Sequence, residues 1–212
     1  MSALLDERRK TQKYDILFLG ATGYTGSLTA EHIVRRPPNN LKWAIAGRST
    51  SKLEALARKL KDLGPVHLQP EIEVVSFEDR RHLDLVVKDS RVCVSVVLYW
   101  QVGEVVVQPC VENGTDYIDV AGGIPVLRTF VKKYHDVAVK AGVAVGAFGS
   151  GFVRELARKT SRKTREMIMS VAEIELSASG GTISSLMAEN TYGPRAIEQA
   201  RQPWVLSPVE AV

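Results

Sequence analysis

Residues 16–26 read ILFLGATGYTG, an apolar run that passes directly into three glycines. The run from Ile16 to Leu19 is short, uninterrupted and ended by Gly20, which is typical of a strand buried on both faces of a sheet. A helix is predicted to follow as far as about Arg36, where two prolines stop it. This order of buried strand, glycine turn and helix predicts the first half of a βαβ unit.

The same alternation continues along the chain. Further strands are predicted at residues 43–46, 72–75, 92–98, 117–120 and 143–147. The helices between them have recognisable ends, with Ser49 or Ser51 as a cap, Pro125 as a first residue, and Gly114 and Gly142 as stops. Six strands alternating with helices predict an α/β fold, a doubly wound parallel sheet of the Rossmann-like type.

The character of the sequence changes after residue 148. A basic helical pattern runs from Arg154 to Arg165, and residues 171–176 alternate like a half-exposed strand. We expect a dinucleotide-binding domain over residues 1–148 and a small, reduced C-terminal α+β segment over residues 149–212, for substrate binding or oligomerisation. The basic run is either a contact for phosphate or an acidic carrier protein, or a solvated face.

The glycine-rich turn has the composition that a dinucleotide pyrophosphate requires. Gly20 and Gly23, which have no Cβ, permit a tight turn and a close backbone approach, and Gly26 allows the following helix to pack onto the sheet. The helix N-terminus offers N–H groups to negative charge. The alternative is a purely structural turn. The predicted cofactor contacts in this loop are Gly20, Thr22, Gly23, Tyr24, Thr25 and Gly26.

The end of the second predicted strand indicates which dinucleotide is bound. NAD-binding members of this fold usually carry an acidic residue there, about 20 residues beyond the glycines, whereas this chain has Arg48 and Ser49, with Lys52 one turn later. An arginine binds a 2′-phosphate bidentately, and an acid would repel it. We therefore predict NADP(H) as the cofactor; the alternative is that Arg48 is an ordinary solvated residue.

Two candidate catalytic residues follow later strands. Tyr99, next to Trp100, is predicted to end the fourth strand, and Asp119 the fifth, so both lie at the carboxyl edge of the sheet. Tyr99 is either a proton donor or a packing residue, and Asp119 is either an acid/base or a loop cap. No Tyr-x-x-x-Lys pair, no Gly-x-Ser-x-Gly elbow and no His-rich metal motif accompanies them.

Composition narrows the class of protein. The chain is 45% hydrophobic and 25% charged, which is typical of a globular protein, and its net charge of +4 suits an anionic cofactor but is too small to indicate nucleic acid. Cys93 and Cys110 are predicted to be buried free thiols of a reducing compartment. With no signal-like start and no apolar run near ~20 residues, we expect a cytoplasmic protein without a membrane span.

Several motifs together resemble a known family. The carrying residues are Tyr14-Asp15-Ile16 with the glycine loop, residues 43–49 with Lys52-Leu53, Gly103-Glu104 with Val106-Val107 and Cys110, residues 112–119, and residues 179–183. They resemble the saccharopine dehydrogenase-like oxidoreductases, and within that group the trans-acting enoyl reductases of polyketide and lipid pathways. The resemblance implies a reductase that delivers hydride from NADPH to an activated double bond, with cofactor contacts at Gly20, Gly23, Gly26, Arg48 and Ser49.

The chain also departs from the family pattern. Val97-Leu98 stand where the family has Gly-Pro before the tyrosine, Gly122 or Gly123 replaces a glutamate, and an Asp-Ser-x-Pro-x-Asp stretch after Phe152 is absent. Family members are also about twice as long. Two hypotheses therefore stand. The first is an NADPH-dependent, enoyl reductase-like enzyme acting on a small-molecule or carrier-bound biosynthetic intermediate, either an enoyl or an iminium-like compound. Because the C-terminal segment is too short to build a core of its own, we also expect a homodimer. The second is a redox-silent cyclase, isomerase or auxiliary subunit.

Overall fold

The computed structural model describes residues 11–36, 40–65, 69–120, 123–146 and 191–200, together with Ser184 and Met187. The strands are β1 Tyr14–Leu19, β2 Trp43–Gly47, β3 Glu71–Val74, β4 Ser90–Ser95, β5 Asp116–Asp119 and β6 Val145–Gly146. The helices are α1 Tyr24–Arg35, α2 Thr50–Leu63, α3 Arg80–Lys88, α4 Glu104–Asn113, α5 Ile124–Ala141 and α6 Pro194–Ala200, with a π-helical turn at Tyr99–Gly103.

The strands form one parallel sheet in the order β3-β2-β1-β4-β5-β6. The order reverses between β1 and β4, so the loops after these two strands diverge and leave a crevice at their carboxyl ends. This arrangement confirms the predicted doubly wound fold.

Helices cover both faces of the sheet, and successive side chains of β1 pack on opposite faces. Leu17 and Leu19 belong to the core cluster formed with α3, α4 and α5, whereas Phe18 belongs to the cluster formed with α1 and α2. All three side chains are fully buried. The apolar run in the sequence therefore forms a strand with a hydrophobic layer on each side, as predicted.

The fourth strand is shorter than predicted. It ends at Ser95, not at residue 98, because both neighbouring strands end at the same level: Ser95 pairs with Leu19 of β1 and with Asp119 of β5. Just beyond this level the Val96 N–H donates a hydrogen bond to the Leu19 carbonyl, at 2.9 Å. Tyr99 consequently begins the π-helical turn and does not end the strand, which corrects the sequence-based placement.

Smaller differences concern the ends of elements. Ser49 caps α2 by accepting a hydrogen bond from the Lys52 N–H at 3.5 Å, which decides between the two serines. Pro125 is the second residue of α5, not the first. Gly114 and Gly142 end their helices with φ of 66° and 69°, in the left-handed region, as predicted.

The predicted basic helix at residues 154–165, the alternating strand at residues 171–176 and the turn at residues 179–182 lie outside the described residues. Within the described part of the chain, no helix combines the length and hydropathy needed to cross a membrane. Cys93 and Cys110 are both buried and free, and burial raises the pKa of the Cys110 thiol well above its usual value, which keeps it protonated.

Candidate functional site

A cavity of about 410 Å³ opens at the carboxyl ends of β1, β2 and β4. It occupies the point where the strand order reverses, which is where open α/β sheets bind ligands. The glycine loop, the end of β2 and the loop after β4 all contribute to it. Its described lining is Gly20, Thr22, Gly23, Tyr24, Thr25, Gly26, Gly47, Arg48, Phe77, Val96, Val97, Leu98, Gln101 and Val102.

Two glycines of the loop are required by the protein's own packing. Gly20 has φ of 88°, which favours glycine, and a Cβ there would lie 3.1 Å from Val97 Cγ1. A Cβ on Gly26 would lie 2.2 Å from the Gly20 carbonyl oxygen and 2.8 Å from Ala21 Cα. Gly26 therefore brings α1 against the end of β1, the role predicted for it.

Gly23 is different, because the protein does not need a glycine there. Its φ of −76° and ψ of 172° are open to any residue, and a Cβ would meet only the Gly20 carbonyl oxygen at 3.4 Å. The missing side chain therefore leaves room on the cavity side of the loop. Room of this kind is what a closely approaching pyrophosphate needs.

The first turn of α1 faces the cavity with its N-terminal end. No side chain caps this turn and no acidic residue lies in it, as far as the described residues show. Tyr24 and Thr25 of the turn line the cavity. An uncapped helix N-terminus presents N–H groups and the positive end of the helix dipole, so the turn is suited to an anion.

Arg48 lies in the same cavity, at the end of β2. A Cβ on the neighbouring Gly47 would lie 3.8 Å from Thr22 Oγ1, so the glycine loop and this strand end adjoin. Arg48 is exposed, and none of the ion pairs among the described residues includes it. Its guanidinium is available to a phosphate next to the loop. Ser49 and Lys52 follow in the cap and first turn of α2.

The sequence did not predict an apolar wall of the cavity, although the family resemblance marked Val97-Leu98 as a departure from the family's Gly-Pro pair. Val96, Val97 and Leu98 form it, with Phe77 from the loop after β3 and Val102 from the π-helical turn. The polar side chain of Gln101, from the same turn, also lines the cavity. The available signal was position, since residues directly after a parallel strand lie at the carboxyl edge. Residues 96–98 were not predicted to line the cavity because the sequence analysis includes them in the fourth strand.

Neither of the two candidate catalytic residues is among the described residues that line the cavity. Tyr99 is half-buried between the lining residues Leu98 and Gln101, and its ring meets that of Trp100 edge to face at 5.1 Å. Asp119 is buried at the end of β5 and accepts a hydrogen bond from the Tyr117 hydroxyl at 2.9 Å. Burial and the Asp119 carboxylate raise the pKa of the Tyr117 hydroxyl, so Tyr117 is a stable donor to Asp119.

Comparison with known proteins identifies the family to which this chain belongs. The family model of the saccharopine dehydrogenase NADP-binding domain matches residues 16–146. A saccharopine dehydrogenase-like oxidoreductase of Mus musculus is 33% identical over 62% of this chain and 33% of its own length. A trans-acting enoyl reductase of Mycobacterium ulcerans is 30% identical over 63% of this chain and 31% of its own length.

Among solved structures, the apo saccharopine dehydrogenase (L-Glu forming) of Saccharomyces cerevisiae has a TM-score of 0.52 at 21% identity, over 69% of this chain and 30% of that one. This likeness supports the fold. The chain spans about a third of the length of the curated relatives it matches. The NADP-binding domain match confirms the cofactor predicted from Arg48.

Proposed function

The chain belongs to the family of saccharopine dehydrogenase NADP-binding domains, and on that premise we propose that it is an NADPH-dependent oxidoreductase of the enoyl reductase type. The observation that carries the proposal is that the glycine loop and Arg48 line the same cavity at the carboxyl edge of the sheet. The glycine loop suits the pyrophosphate of a dinucleotide, and Arg48 suits the 2′-phosphate that NADP(H) carries and NAD(H) lacks.

In this proposal, each residue of the site has a separate role in binding or catalysis. Gly23 and the first turn of α1 hold the pyrophosphate, and Arg48 holds the 2′-phosphate, with Ser49 and Lys52 beside it. Val96–Leu98 give the cavity an apolar wall that limits water near the ligand. NADPH, when bound, supplies a hydride to the β-carbon of the double bond. Tyr99 supplies the proton that the α-carbon then needs, with Asp119 as the second candidate for that role.

The proposal also includes the chemical class of the substrate. A double bond conjugated to a carbonyl accepts hydride because the carbonyl takes up the developing negative charge. The M. ulcerans relative is named a trans-acting enoyl reductase, which favours such a substrate. We propose a small-molecule or carrier-bound intermediate of a polyketide, lipid or other secondary-metabolite pathway. The homodimer, the cytoplasmic location and the domain boundary at residue 148 stay predictions.

The experiment that tests this function measures NADPH consumption. Purified protein is given NADPH and a panel of short 2-enoyl thioesters, and the loss of cofactor fluorescence is compared with the formation of the saturated thioester by mass spectrometry. We expect one saturated product for each NADPH oxidised. Conversion of the thioester to an isomer or ring without NADPH oxidation would contradict the proposal and favour the redox-silent alternative.

The role of Arg48 is tested by binding. Arg48→Ala is expected to weaken NADPH binding by roughly 1.5–3 kcal/mol, because a charge-assisted contact to the 2′-phosphate is lost. NADH, which lacks that phosphate, should bind almost unchanged. Titrations of both cofactors by fluorescence give the two dissociation constants. Lys61→Ala is the matched control, since Lys61 is an exposed cation in the last turn of α2, away from the cavity. Equal NADPH losses in the two variants would show a general charge effect only.

A further inference from the structure

A second cavity, of about 290 Å³, lies between the N-terminal half of α5 and the segment that contains α6. Val126, Arg128, Thr129 and Lys132 of α5 line one side, and Tyr192 and Gln199 line the other. It shares no described lining residue with the cofactor cavity. Any ligand of this cavity would therefore be additional to NADP(H).

Arg128 is a half-buried cation that forms no ion pair with any residue described in the structure. Its Nη1 donates a hydrogen bond to Oε1 of Gln199 at 3.1 Å. This neutral amide orients the guanidinium but does not neutralise it. In the part of the chain that the structure describes, no carboxylate forms an ion pair with Arg128. Removing a cation from water without a counter-charge costs free energy, which a bound anion would offset.

Lys132 adds a second positive charge to the same cavity. It lies four residues after Arg128 and therefore on the same side of α5, where like charges repel. None of the described residues that line the cavity is acidic. The neighbouring Lys133 shows the contrast, because it forms a salt bridge with Glu104 of α4. Arg128 and Lys132 therefore give the cavity two positive charges, and no acidic residue is among its described lining residues.

We propose that this cavity is a binding site for a phosphate monoester with a small apolar group. The N–H groups of Arg128 that Gln199 does not use suit two phosphate oxygens, and Lys132 acts as a point charge beside them. Val126 and the ring of Tyr192 provide apolar surface for the ester group. The site does not depend on the reductase reaction.

The test uses phenyl phosphate as the probe and the full chain saturated with NADPH, so that the cofactor cavity is filled. Amide chemical shifts in NMR spectra report where the probe binds. We expect saturable shifts confined to the first half of α5 and to residues 191–200. Arg128→Gln should weaken binding about tenfold or more, through loss of the bidentate contact. Lys140→Gln, on an exposed residue at the far end of α5, should leave it unchanged.

Three results would overturn the proposal. The first is the absence of saturable shifts at this cavity. The second is equal affinity for benzyl alcohol, which has a similar apolar group without the charge. The third is an equal loss of affinity in Arg128→Gln and Lys140→Gln, which would indicate screening by net charge. The spectra of the variants also show directly that each protein is folded.

Discussion

Gly23→Val is expected to abolish NADPH binding and to leave the protein folded. A branched side chain at this position would occupy the space beside the loop that the pyrophosphate requires. The native backbone has room for a Cβ at this position, because φ is −76° and, among the described residues, a Cβ would meet only the Gly20 carbonyl oxygen, at 3.4 Å. We expect affinity to fall at least about a hundredfold, or ~2.8 kcal/mol. Fluorescence titration measures the loss, and thermal unfolding followed by circular dichroism measures the fold.

Gly26→Ala is the matched control for stability, since it adds a smaller side chain to the same loop at a position where packing requires glycine. Its Cβ would lie 2.2 Å from the Gly20 carbonyl oxygen and against the backbone of Ala21, so α1 must move away from β1. We expect this variant to lose roughly 3 kcal/mol or more of its free energy of unfolding. If Gly23→Val instead binds NADPH normally, the loop is a structural turn and the cofactor assignment to Gly23 is wrong.

The contrast between these glycines shows what the sequence could and could not predict. The spacing of Gly20, Gly23 and Gly26 between a buried strand and a helix predicted the fold and the place of the loop. It also predicted the role of Gly26, because helix packing on a sheet follows from the βαβ geometry. The sequence could not show that the packing of the protein allows a side chain at position 23. This conclusion requires the φ angle and the distances between segments, which only the structure provides.

The end of β4 shows a different limit. Val92–Leu98 is apolar except for Ser95, and the strand-forming residues Val96 and Val97 continue past that serine. The strand nevertheless ends at Ser95 because β1 and β5 stop pairing there. Strand length is thus decided by neighbours that are distant in sequence, and local β-propensity yields to them. As a result, the apolar wall of the cavity and the π-helical turn that begins at Tyr99 were found only from the structure.

Tyr99→Phe is expected to slow NADPH-dependent reduction by ~10²–10⁴-fold, the usual contribution of a positioned general acid. The variant keeps the ring, and with it the edge-to-face contact with Trp100, so the π-helical turn should be preserved. NADPH affinity should stay the same, because Tyr99 is not among the residues that line the cofactor cavity. Single-turnover rates with the enoyl thioester, measured beside the NADPH dissociation constant, separate the two effects.

Two further variants make the assignment of the proton donor specific. Trp100→Phe alters the neighbouring aromatic ring without removing the Tyr99 hydroxyl, so it should leave most of the turnover intact. Asp119→Asn removes the other candidate acid, while its amide oxygen can still accept the hydrogen bond that Tyr117 donates at 2.9 Å. If Tyr99→Phe turns over within about threefold of the native rate and Asp119→Asn shows the large loss, the proton comes from the end of β5. The π-helical turn would then have only a structural role next to the cavity.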